Sequence, residues 1–105
     1  MDAKRKTLAV PTYDLDELKV IVKAKGHRAF TYTSMAGIAE LGMTVADAID
    51  CIDCLNQDDF YKTMPSQQDP GHFQDVYRGK YWNEEVYIKF TGYSAGPVVI
   101  SFKEK

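Results

Sequence analysis

The spacing of apolar and polar positions along this chain changes once, near Asn56. Before it, apolar residues recur at intervals of three and four, as on one face of a helix; after it, they alternate with polar residues, as on a half-covered strand. Leu15, Leu18, Ile21 and Val22 form a stripe that predicts a helix over 15–25. Asp14 is its N-cap, Glu17 three residues on would complete a capping box, and Gly26 is the stop. His27 to Thr33 is rich in β-formers and predicts a short edge strand. Ser34 then reads as the cap of a short helix ending near Leu41-Gly42. Thr44 opens a third helix with Asp47 at its third position, and Val45, Ile49, Ile52 and Leu55 give it an apolar side to lay on a sheet.

From Asn56 onward, turn signals at Pro65–Gly71, around Asn83-Glu84 and at Ser94-Ala95-Gly96-Pro97 divide the period-two region into four strands. The pattern predicts an α+β fold in which N-terminal helices cover one face of a mainly antiparallel C-terminal sheet. Side chains two apart on a strand share a face. Gln74, Arg78 and Lys80 therefore fall together, as do Tyr87 with Lys89 and Ser101 with Lys103. The opposite parity carries Val86, Ile88 and Phe90, and then Val98, Ile100 and Phe102. One side of the sheet is expected to be greasy and the other to offer Lys, Arg, Tyr and Gln.

At 105 residues the chain makes one domain, 1–105, with residues 1–11 expected as a flexible basic tail. No apolar run nears the roughly 18 residues that span a bilayer. The basic start, Met1-Asp2-Ala3-Lys4-Arg5-Lys6, lacks the apolar stretch of a signal peptide. A cytoplasmic protein without membrane contact is expected. The formal charge of −2 argues mildly against nucleic acid. Its distribution softens that argument, because Asp47, Asp50, Asp53, Asp58 and Asp59 crowd one stretch. Lys62, Arg78, Lys80, Lys89, Lys103 and Lys105 slightly outnumber the acids after residue 60.

Cys51-Ile52-Asp53-Cys54 lies late in a helix beside acids that raise a thiol pKa, so helix packing is the simpler reading than redox or metal chemistry. His27 fits a helix C-terminus. His72 shares the parity of Gln74, yet follows Pro70-Gly71 in a turn, where a surface histidine is the plainer reading. No phosphate loop, Ser-His-Asp pattern or HExxH motif is present. Asp75 points away from Gln74, to a face where a base or a loop N–H would pair with it.

The polar sheet face could be no more than a solvated surface. It also has the chemistry to cleave RNA without a metal or cofactor. That reaction needs removal of the 2′-OH proton, stabilisation of charge on phosphorus and protonation of the 5′-oxygen. Tyr and Lys have reference pKa values near 10, and crowded cations are expected to lower them. Arg stays charged and grips phosphate.

Four blocks carry a further implication: Asp59-Phe60-Tyr61-Lys62, Gln74-Asp75-Val76-Tyr77-Arg78, Val86-Tyr87-Ile88-Lys89 and Ser101-Phe102-Lys103-Glu104-Lys105. In order and spacing they resemble the MqsR toxin family from about Leu55 to Lys105, with weaker likeness upstream around Glu40-Leu41-Gly42. The resemblance implies a RelE-like fold and a sequence-selective endoribonuclease (an mRNA interferase) that inhibits translation. It implies a cognate antitoxin, zinc-containing and DNA-binding, and raises the ribosome as a further partner. It places the residues implicated in cleavage on Lys62, Gln74 and Tyr87, with Arg78, Lys89, Lys103 and His72 around them as RNA-binding groups. The Gln67–Gly71 turn departs from the family pattern. A non-catalytic RNA- or antitoxin-binding module on the same fold is the alternative.

Overall fold

The computed structural model describes residues 10–67, 69, 71–92 and 95–105. Most of the expected basic tail, and parts of the turns expected at Pro65–Gly71 and Ser94–Pro97, lie outside the described residues. Three helices come first: α1 (Leu15–Lys25), α2 (Tyr32–Glu40) and α3 (Val45–Asp53). Four strands follow: β1 (Phe60–Pro65), β2 (Phe73–Tyr81), β3 (Glu84–Thr91) and β4 (Val99–Glu104). They pair antiparallel in the order β1-β2-β3-β4, a simple meander.

The caps explain the helix boundaries. Asp14 accepts from the Asp16 and Glu17 amides at the start of α1. Thr44 and Asp47 exchange bonds in a full capping box at the start of α3. At the far end of α3, the Lys19 ammonium donates to the carbonyls of Asp53 and Leu55, satisfying acceptors that a helix end leaves open.

The expected edge strand over His27–Thr33 does not form. Gly26, at φ +61, turns the chain into a short 3-10 turn over Gly26–Ala29. Thr31 then begins the next cap by accepting from the Ser34 amide. Phe30 and Thr31 remain extended, and Phe30 makes one isolated parallel bridge to Val99. Helix α2 thus starts three residues before the expected place, with Thr31 rather than Ser34 as its N-cap. Ser34 is buried inside the first turn, where its hydroxyl donates to the Thr31 carbonyl.

All three helices lie on one side of the sheet. They bury Leu15, Leu18, Val22, Ile38, Ala48, Cys51 and Ile52 against Tyr77, Val86, Ile88, Phe90, Val99 and Phe102. Tyr77 sits edge-on between Phe60 and Phe90, at centroid distances of 5.5 and 5.7 Å. Helix α2 approaches β4 so closely that a Cβ on Gly37 would lie 1.9 Å from the Phe102 carbonyl oxygen. Only glycine fits there.

The inner face is not apolar to its end. Asp75 is fully buried and accepts from the backbone amides of Thr12 (3.0 Å) and Tyr13 (2.8 Å), as its parity implied. Thr12 also bonds the Thr63 hydroxyl, and the Tyr13 hydroxyl donates to the Phe73 carbonyl. These bonds tie the segment before α1 across β1 and β2.

Replacing Asp75 by Ala leaves two amides without their charged acceptor. We expect a loss of about 2–3 kcal/mol in urea unfolding and faster hydrogen exchange at Thr12 and Tyr13. Unchanged exchange there would show that the clamp is dispensable.

Candidate functional site

Strand register builds the outward face row by row, because directly paired residues share a side. One row is Lys62, Val76, Lys89 and Ser101. On one side of it lie Met64, Gln74 and Thr91. On the other lie Arg78, Tyr87 and Lys103. Lys62 and Lys89 occupy the strands on either side of β2, so their backbones are about 9–10 Å apart. Val76 lies between them and is fully buried although it faces outward.

Two bulges decide which residues reach this face. In β1 the register shifts between Phe60, paired with Tyr77, and Lys62, paired with Val76. Tyr61 is the extra residue. Phe60 stays on the core side and Lys62 joins the outward row, which strict alternation would not allow. In β4 the shift falls between the Lys89–Ser101 and Phe90–Val99 pairs, leaving Ile100 as the extra residue. Val99 thereby takes the core position. Ile100, expected on the greasy side, is instead half-buried and lines an outward cavity of ≈ 400 Å³ together with Gln74, Lys89 and Ser101.

Tyr61 is the site residue that alternation missed. Its ring lies 4.2 Å from the Arg78 guanidinium carbon and 5.4 Å from the Lys62 ammonium. Lys103 stands 5.2 Å from the Tyr87 ring centre. Cations held over aromatic faces are positioned without being neutralised, so they keep their charge for an anion. The signal for Tyr61 was present in its block, but a bulge is needed to put it beside Lys62.

Burial, then Lys103 and Lys62, push the Lys89 ammonium below its usual pKa, in the direction expected of crowded cations. Tyr87 moves the other way. Burial and the nearby Tyr61 raise its pKa, and Arg78 only partly offsets them. The expectation that cations would lower this tyrosine is therefore wrong in sign, because loss of solvent outweighs one guanidinium. At neutral pH Tyr87 is a neutral phenol and a proton donor.

His72 stands apart from these rows. It lies in the turn before β2, its Nδ1 2.6 Å from the Asp69 carboxylate. Cys51 is buried in the core and Cys54 is exposed. Burial, Cys54, Asp50 and Asp59 push the Cys51 thiol up to about 12, which suits packing and not nucleophilic chemistry. Among the described residues, no group of three or more His, Cys, Asp or Glu is placed to hold a metal.

Fold and face together define a small α+β protein with a cationic, phenol-bearing sheet surface suited to a phosphodiester. Residues 10–104 match the family model described as "Motility quorum-sensing regulator, toxin of MqsA", and the chain belongs to this MqsR toxin family. It is 34% identical over 95 residues to the mRNA interferase toxin MqsR of Escherichia coli (strain K12), a match spanning 90% of this chain and 95% of that protein. The likeness thus extends upstream of the four blocks into the helices. Helices followed by an antiparallel four-stranded sheet agree with the RelE-like toxin fold that the resemblance implied.

The electrostatic coupling on this face can be measured without a substrate. Lys103→Ala should move the Lys89 titration upward, toward that of an ordinary lysine, when followed by NMR of the lysine side-chain carbons. An unmoved titration would show that Lys103 contributes nothing to the Lys89 shift.

Proposed function

We propose that this chain is a sequence-selective endoribonuclease toxin. It cuts single-stranded mRNA with its own side chains, halts translation, and is neutralised by a cognate antitoxin. One observation carries the reading: Lys62 and Lys89 stand on either side of Val76, with Gln74 in the row on one side and Arg78, Tyr87 and Lys103 in the row on the other. The name of the similar Escherichia coli protein supports the activity. The family description supports an antitoxin partner.

The reaction needs no group beyond these side chains. The 2′-oxygen attacks phosphorus, a P–O2′ bond forms, the P–O5′ bond breaks, and the products are a cyclic phosphate and a 5′-hydroxyl. Arg78 and Lys62 bear the charge that builds on the non-bridging oxygens. Lys89, the more readily deprotonated ammonium, is the acceptor best suited to the 2′-hydroxyl proton. Tyr87, held neutral by its surroundings, donates to the departing 5′-oxygen. Gln74 orients the nucleotide, Lys103 holds a neighbouring phosphate, and His72 with Asp69 contacts RNA at the margin.

The site of action is the cytoplasm, on free or ribosome-bound message. No helix among the described residues is long and apolar enough to cross a membrane. The antitoxin of this reading contains zinc and binds DNA, so any operator contact is mainly its own.

Lys62→Ala and Tyr87→Phe should each slow cleavage of a single-stranded mRNA roughly 10²–10⁴-fold, with Tyr87→Phe retaining most RNA affinity because the ring remains. Wild-type cleavage rates in either variant would remove that residue from the mechanism. Protein that binds RNA and never cuts it would favour a non-catalytic module.

A further inference from the structure

The cavity beside the reacting row has a composition unlike the rest of the face. Among the described residues, its only charged lining residue is Lys89, at the side where the lysine row begins. Gln74, one strand-row away, forms another part of its wall. Thr33 brings a hydroxyl from the first turn of α2, beside the Thr31 hydroxyl that already bonds the Ser34 amide and the Ile100 carbonyl. Ser66 and Gln67 bring a hydroxyl and an amide from the chain after β1. Ser101 adds a hydroxyl from β4, while Met64 and Ile100 supply apolar surface.

Hydroxyls and amides both donate and accept. They match the mixed edge of a nucleobase better than a second phosphate, which would call for cations. Met64 and Ile100 can lie against the faces of a ring. A volume of ≈ 400 Å³ sits at the small end of the range of about 300–1,000 Å³ found for small-ligand sites. Single-stranded RNA is commonly recognised by splaying one base into such a pocket and bonding its edge. The neighbouring rows lie two residues apart along β2, about 6–7 Å, a span that one ribose bridges. A phosphate on the lysine row would leave its adjoining base at the mouth of this cavity.

We propose that this cavity is a base-reading subsite, which takes the nucleobase next to the scissile phosphate and sets the sequence selectivity of cleavage. Thr33, Gln67 and Ser101 are its specificity-determining residues. The inference rests on the endoribonuclease reading and deepens it. Thr33 and Gln67 are exposed, so trimming them threatens the fold little.

The test compares wild-type protein with Thr33→Val, Gln67→Ala and Ser101→Ala on a single-stranded RNA pool of randomised sequence, mapping the new 5′ ends. Thermal melts run alongside. We expect preference at one position flanking the cut to weaken by roughly tenfold in at least two variants, with preference elsewhere retained. A wild-type preference at every position in all three variants overturns the subsite, as does a uniform rate loss with an unchanged cut sequence. In those two cases wild-type cleavage still stands, so the endoribonuclease reading survives. Wild-type protein that cuts nothing in the pool would sink both.

Discussion

The extra residue at Tyr61 determines which side of the sheet Lys62 occupies, and most of the outward face depends on it. Phe60 must stay inward because it packs edge-on against Tyr77 in the core. Strict alternation from Phe60 would then drive Lys62 into the same apolar layer, where an unpaired ammonium costs several kcal/mol. The bulge resolves the conflict by letting Tyr61 and Lys62 both face outward. It also presses Tyr61 against Arg78, so that one irregularity places two cations and an aromatic ring together. The second bulge, at Ile100, acts similarly on β4: Val99 fills the core and Ile100 becomes cavity wall.

Charge is segregated by the same architecture. Asp47, Asp50, Asp53, Asp58 and Asp59 belong to α3 and the 3-10 turn after it, whereas the cations on the outward face come from the strands. A net charge of −2 is thus compatible with a cationic surface, since screening over about 8–10 Å separates distant groups. Within the surface, solvent exclusion acts with opposite sign on the two residue types. It weakens the proton affinity of Lys89 and strengthens that of Tyr87. Two groups with nearly equal reference pKa values are driven apart, which suits one to accept a proton and the other to give one.

Stability is supplied on the other side. Helix α2 meets β4 across Gly37, and Asp75 holds the segment before α1 by two backbone amides. The Asp75 clamp lies opposite the outward face. That face is left free to crowd like charges, an arrangement that by itself opposes folding. Cys51 of α3 belongs to the stabilising side, buried in the core cluster.

The sequence alone determined the order of elements, because hydrophobic period and capping chemistry are local: α1 and α3 start at Asp14 and Thr44 as read. It also settled the inward turn of Asp75 and the shared face of Gln74, Arg78, Tyr87 and Lys89, since alternation holds within an unbroken strand. The four blocks made the family legible for the same reason, being contiguous in the chain. Only the tertiary structure decided where alternation fails. A bulge is set by what the neighbouring strand and core demand of Phe60 and Val99, and this is not written in β1 or β4 alone. The edge strand misread over His27–Thr33 has a similar origin, because its β-forming residues were overridden by a turn at Gly26 and a cap at Thr31. The cavity gathers the start of α2, β1 and the chain after it, and strands β2, β3 and β4. No periodicity in the chain can reveal such a site, since its walls meet only after folding.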